Sequence, residues 1–349
     1  MRPDIEQFKR TLRRQKAAHI PIAELGVHPK IKAKVLGRPI QHLQDDVDFW
    51  HGAGYDYIKL QPLANFNPAG AGLEGRVRAD EDRAFTRTWA AEGEGVITSH
   101  ETFEQYQFPR AEDFDYQVFE NVGALLPEGM GVIGQYGDIF TMTWDSMGLE
   151  IFSEALYDDP ELVQRVIDAY GELVLSMFRY FAESDVVDVL WFSDDIAYTE
   201  GLMVSPTVLR RYFFPWLKKI GDLARAANKP LIYHSDGVLY PVFDDIIACG
   251  VTAVHPIEPK AMDMAEVKAR VGDRLALVGN IDVDLLARGT PEQVRAQVRE
   301  LIDKLGPDGG YCIGSGNSIP EYVKTENYLA MIETVKALDS AYNLSKDSL

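Results

Sequence analysis

The stretch LIYHSDGV, residues 231–238, runs apolar and then breaks into His234, Ser235, Asp236 and Gly237. Side chains alternate with period two along an extended strand, so His234 and Asp236 share one side and can reach a single ion. A neutral imidazole with two or three carboxylates suits Zn²⁺ with an open coordination position, which polarises a substrate heteroatom as a Lewis acid. The same residues support other roles. Asp236 can orient His234 with no metal present, or Asp195 or Glu258 can act as general acid with His234 as base. Spacing leaves these alternatives open.

Comparable groups stand at the ends of other apolar runs: Glu24, Lys59 and Gln61, Gln135 and Asp138, Asp194 and Asp195, His255 and Glu258, Asn280 and Asp282, Ser315 and Asn317. Charges at buried strand ends are costly unless paired, hydrated or bound to a metal, so their convergence points to chemistry. The expected catalytic residues are Asp195, His234 and Glu258, and the expected metal ligands are His234, Asp236 and Glu258. Glu24, Gln61, Gln135, His255, Asn280 and Asn317 are expected to contact substrate. Tyr136, Tyr198, Tyr233 and Trp144 are expected to line the apolar part of a pocket.

The elements that must position these groups are short apolar, β-branched runs at 19–25, 55–62, 131–138, 186–195, 230–237, 252–259, 275–282 and 310–317. Helical patterns separate them, the alternation of βα units around a parallel sheet. DDPELVQRVIDAYGELVLSMFRYFAES begins with acidic residues and Pro160, and TPEQVRAQVRELIDKLG has Thr290 as cap and Gly306 as stop. SPTVLRRYFFPWLKKIGDLARAANK should kink or split at Pro215. Eight strands predict an α/β fold of the (β/α)₈ TIM-barrel type, a single domain over 1–349 with its site where strands end and βα loops begin. No GxGxxG or GxxxxGK[ST] follows a strand, so nucleotide binding has no support. Residues 63–129 carry more chain than one helix needs: Gly-rich ANFNPAGAGLEG, a possible hairpin in TRTWAAEGEGVITS and the aromatic run FEQYQFPRAEDFDYQVFE. They read as an insertion after the second strand, packed over the barrel mouth as a lid.

A net charge of −19 over 349 residues argues against nucleic acid or an anionic membrane as partner. Cys249 and Cys312 are the only cysteines, which suits a reducing cytoplasm. The start, MRPDIEQFKRTLRRQ, has no apolar targeting core, and no run of about 18 uncharged apolar residues suggests a membrane span.

The runs DPELVQRVIDAYGEL, SDDIAYTEGLMVSPTVLRRYFFPWLKKI, HSDGVLYPVFDDIIACGVTAVHPIEPK…LALVGNIDVDLLARGTPEQV and GGYCIGSGNSIPEYVKTENYLAMIE, in that order, resemble the uroporphyrinogen decarboxylase superfamily across residues 130–338. The resemblance implies a (β/α)₈ barrel and one of two activities: uroporphyrinogen decarboxylation, or zinc-dependent methyl transfer involving cobalamin. The decarboxylases carry an N-terminal RQAGR-like segment for substrate carboxylates and an acid soon after the second strand. HIPIAELGVHPK lacks that segment, and Gln61 and Leu63 stand where the acid belongs. In the coenzyme M methyltransferases zinc is held by a His-x-Cys pair and a later cysteine. His234 matches the histidine, Asp236 stands at the first cysteine and Asn317 roughly at the second. Oxygen ligands in place of thiolates imply a methoxy or methylamino donor rather than a thiol. The reading is a corrinoid-linked methyltransferase of an O-demethylation type of system, with a small methylated substrate and a corrinoid protein as partners. The alternative is a metal-free lyase acting on a carboxylated substrate. No corrinoid-binding DxHxxG segment occurs, so cobalamin is expected on a partner or free in solution.

Overall fold

The computed structural model describes residues 2–64 and 95–346. Its strands are β1 (Tyr57–Leu60), β2 (Gly131–Gly137), β3 (Val189–Ser193), β4 (Ala197–Tyr198), β5 (Gly201–Leu202), β6 (Leu231–His234), β7 (Ala253–His255), β8 (Ala276–Val278) and β9 (Tyr311–Cys312). β4 and β5 form a small antiparallel hairpin, and the other seven form one parallel curved sheet in the order β1-β2-β3-β6-β7-β8-β9. The eighth apolar run closes the (β/α)₈ barrel without forming a regular strand. Ile22 bridges Ile313 and Val27 bridges Ile319, both in parallel, and on its other side the Glu24 N–H donates to the Tyr57 hydroxyl at 2.8 Å. Pro21 has no N–H to give a continuous ladder, which accounts for the irregularity.

Apolar side chains explain how the barrel is clothed. The helix Pro160–Glu183 starts on Pro160, is capped by Asp159, and buries Val163, Val166, Ile167, Val174 and Phe178 against the sheet. Its Phe181 ring lies so near Gly134 of β2 that an added Cβ would stand 2.7 Å from it. The chain around Pro215 is two helices, Pro206–Tyr212 and Phe214–Ala226, with the break at Phe213 and Pro215 in the first turn of the second. Thr290 and Gln293 form the reciprocal cap of Pro291–Leu305, which ends at Gly306.

The insertion read at 63–129 falls partly outside the described residues, as does most of the hairpin read at 86–99. Its described part follows the flank of the helix Pro160–Glu183. Tyr116 stacks on Tyr180 with centroids 3.9 Å apart, Tyr170 donates to the Tyr106 hydroxyl at 3.3 Å, and Leu63 pairs antiparallel with Asp115. No helix among the described residues is long and apolar enough to cross a membrane.

Candidate functional site

The C-terminal ends of β3 and β6 build the centre of the site. The parallel pairing continues past the strands, with the Asp194 N–H donating to the His234 carbonyl at 3.0 Å and the Ser235 N–H to the His255 carbonyl at 3.1 Å. Alternation then separates neighbours. Ser193 faces the lumen, where its hydroxyl accepts from Gln135 Nε2 at 3.1 Å, and Asp195, two residues on, shares that side. Asp194 faces away. Buried, it accepts from the Phe140 N–H at 2.6 Å, the Thr141 N–H at 3.0 Å and the Thr141 hydroxyl at 2.9 Å, and so caps the helix Ile139–Met147 that follows β2.

Asp195, His234 and Asp236 form the cluster. Each offers a ligand atom, and these atoms all lie within 4.8 Å of one another. His234 Nε2 is 3.6 Å from Asp195 Oδ1 and 4.0 Å from Asp236 Oδ1. Tetrahedral Zn²⁺ with bonds of about 2.0–2.1 Å holds its ligand atoms about 3.3–3.5 Å apart, so a small contraction would seat it. Two carboxylates would balance its charge, and a fourth position would remain for substrate. The donor set therefore fits the metal.

Surrounding groups fix the three side chains. The Asp236 N–H donates to Asp195 Oδ1 at 2.9 Å, and Asn317 Nδ2 donates to Asp236 Oδ2 at 2.6 Å. His234 Nδ1 lies 2.7 Å from His255 Nδ1. Burial, reinforced by the nearby charges of His234 and Lys59, holds the His255 pKa well below the ordinary imidazole value, so His255 is neutral. Gly237 turns the chain at φ +84°, where a Cβ would stand 2.4 Å from the Tyr198 carbonyl oxygen. That close approach lets the Val238 N–H donate to the Tyr198 carbonyl at 3.0 Å and docks the β4–β5 hairpin beside the cluster.

Other expected site residues take different places. Glu258 lies outside the cluster, one oxygen accepting from the Thr199 hydroxyl at 3.1 Å and the other from the Gly237 N–H at 3.0 Å, and the third group that stands with His234 and Asp236 is Asp195. Glu24 is fully buried at the seam, accepting from the Ser315 N–H at 2.7 Å and hydroxyl at 2.5 Å, and burial pushes its carboxyl up to about 8. Tyr233, expected to line the pocket, lies between sheet and helices, with its ring near Phe192 and Phe213 and its hydroxyl donating to the Asp194 carbonyl at 2.8 Å. The period that puts His234 in the lumen puts Tyr233 outside it. Tyr136 is likewise on the opposite face of β2 from Gln135. Asn280 Nδ2 donates to the Ile257 carbonyl at 2.7 Å and so holds the loop after β7. Gln61 donates to Gln135 Oε1. Sequence reasoning missed Thr199 and assigned no role to Ser235, whose hydroxyl accepts from the Ile196 N–H at 3.1 Å, or to Gly237, whose positive φ had its signal in the glycine itself.

A cavity of about 820 Å³ opens at the cluster, lined in part by Asp195, Asp236, Glu258, Trp144, Tyr198 and Glu200. Trp144 and Tyr198 line this cavity. Residues 93–338 match the model of the uroporphyrinogen decarboxylase (URO-D) family. The chain belongs to the URO-D family. Curated relatives include uroporphyrinogen decarboxylases of Azoarcus sp. strain BH72, 23% identical over 80% of this chain and 80% of that one, and of Neisseria gonorrhoeae, 22% identical over 82% and 83%. Among solved structures, a methyltransferase from Methanosarcina mazei shares the fold with TM-score 0.70 at 16% identity, over 95% of this chain and 98% of that one. The URO-D fold and the position of the cluster at the strand ends agree with a barrel enzyme site.

Proposed function

We propose that this chain is a methyltransferase that moves a methyl group from a small methoxy or methylamino donor to the cobalt of a corrinoid carried by a partner protein or free in solution. The observation that carries the reading is the Asp195–His234–Asp236 cluster at the end of an acid-lined cavity. Methyl ethers and amines are poor electrophiles, and zinc bound by these three residues supplies Lewis-acid polarisation of the leaving heteroatom. The chain's own groups prepare that site. Asn317 and the Asp236 N–H hold the two carboxylates in place, His255 fixes the ring of His234, and Trp144 and Tyr198 offer apolar walls to the donor.

The rim supports docking of a second protein. Among the described residues, the exposed large apolar side chains Leu63, Leu149, Tyr157, Tyr198 and Tyr322 all lie on segments that follow strand ends on the mouth side. A cytoplasmic location goes with this reading, as Cys249 and Cys312 are both free and buried.

The curated relatives' names support a second reading, a metal-free lyase acting on a carboxylated substrate. Against decarboxylation of a polyanionic tetrapyrrole, the described lining of the cavity offers Asp195, Glu200, Asp236 and Glu258 and no lysine or arginine. Carboxylates would then face carboxylates without counter-charge. The two readings separate in one assay: the purified chain is mixed with Co(I) corrinoid and methylated donors, with and without chelator. Formation of methyl-Co(III), lost with chelator and reduced by about 100-fold or more in Asp236→Asn, is expected. Decarboxylation insensitive to chelator, with no methylated cobalt, would overturn it.

A further inference from the structure

The lumen carries a second set of polar groups that the metal-ligand cluster does not use. Lys59 of β1 donates to Gln135 Oε1 at 3.0 Å, the Gln61 amide donates to the same oxygen, and Gln135 Nε2 continues to Ser193. Ser193 is registered beside His234, so a row of side chains runs along the wall from β1 to the edge of the cluster. Its composition is one-sided. Lys59 is half-buried, spends one of its hydrogens on Gln135 and makes no ion pair among the described residues. Trp191, fully buried and registered against Gln135, has an indole N–H with no acceptor among the described residues. Donors in surplus in a sequestered lumen call for a ligand made of acceptors.

We propose that Lys59, with the Trp191 indole and the Gln61 and Gln135 amides, binds a carboxylate of the substrate, so that the methyl donor is a methylated carboxylic acid. This rests on the methyltransferase reading and names its substrate class. β1 and β6 are three strand spacings of about 4.8 Å apart along the curved wall. The acid therefore carries its carboxylate and its methylated heteroatom at opposite ends of a spacer, such as one aromatic ring. One cation matches one carboxylate, in contrast to a polyanion. Burial pushes the Lys59 amine down to about 7, the charge of Lys32 adding to that effect and the charge of Asp46 opposing it, and a bound carboxylate would restore its charge.

The test is calorimetric titration of the full-length, zinc-supplied protein with the ring isomers of methoxybenzoate, each beside its neutral methoxybenzyl alcohol. At least one acid should bind about tenfold or more tighter than its alcohol. Lys59→Met should erase that preference and leave affinity for the alcohol unchanged, while Trp191→Phe, which keeps the ring, should reduce the preference several-fold. Should Lys59→Met fail to fold, Trp191→Phe decides. No acid preference anywhere in the series, or one untouched by either substitution, overturns the proposal. Because binding is read without turnover, acid preference with no methyl transfer to cobalt would keep the Lys59 site and reject the methyltransferase reading. Methyl transfer from neutral donors alone would do the reverse.

Discussion

Nδ1 of His234 lies 2.7 Å from Nδ1 of His255, so a single hydrogen is shared between two imidazoles. With His255 kept neutral by burial, one ring donates and the other accepts. A cation on His234 Nε2 requires its lone pair, which assigns the shared hydrogen to His234 and puts the other on His255 Nε2, whose ring meets Trp191 at 5.1 Å.

His255→Leu removes the acceptor that orients the ligand ring. Zinc affinity, measured by competition with a chromophoric chelator, should fall about 10–100-fold. Unchanged affinity would mean that the pair does not support the metal.

The adjacent acids Asp194 and Asp195 should behave oppositely. Asp194→Ala strips the cap from Ile139–Met147 and leaves buried donors on Phe140 and Thr141, a cost of about 2–4 kcal/mol in denaturant unfolding. Asp195→Ala removes a partly exposed ligand, and should cost about 1 kcal/mol or less while abolishing metal binding. The reverse pattern would show that the faces of β3 are misassigned.

Much of this arrangement is legible in the sequence. Seven apolar runs carry strands bounded by loop residues, from seven residues in β2 down to two in β9. The eighth, at 19–25, pairs irregularly because Pro21 interrupts its donors. Period two is enough to join His234 with Asp236, and applied consistently it also removes Tyr233 and Tyr136 from the lumen. What cannot be read is which loops touch. Asp194 caps a helix that belongs to another βα unit, and Glu258 is drawn from the cluster by Thr199 and Gly237, partners about 60 and 20 residues away in sequence.

Glu24 gives stability a pH signature. Its folded carboxyl titrates near 8, above the ordinary carboxylate value of 4.5, so the folded state holds a proton that the unfolded chain releases. Its penalty is absent below the unfolded value, grows as pH rises between the two and is complete above the folded one, by up to about 1.4 kcal/mol per pH unit. Glu24→Gln, which stays neutral and can still bond Ser315, should gain stability relative to the parent between about pH 5 and pH 8 in urea unfolding. A difference independent of pH would contradict a protonated Glu24.

Metal content of the purified chain, by plasma mass spectrometry after zinc is offered, tests the cluster most directly. About one zinc per chain is predicted, lost in Asp195→Asn, His234→Ala and Asp236→Asn and kept in Glu258→Gln and Glu24→Gln. A parent protein that takes up no zinc, or zinc that survives each of the three ligand substitutions, would contradict it.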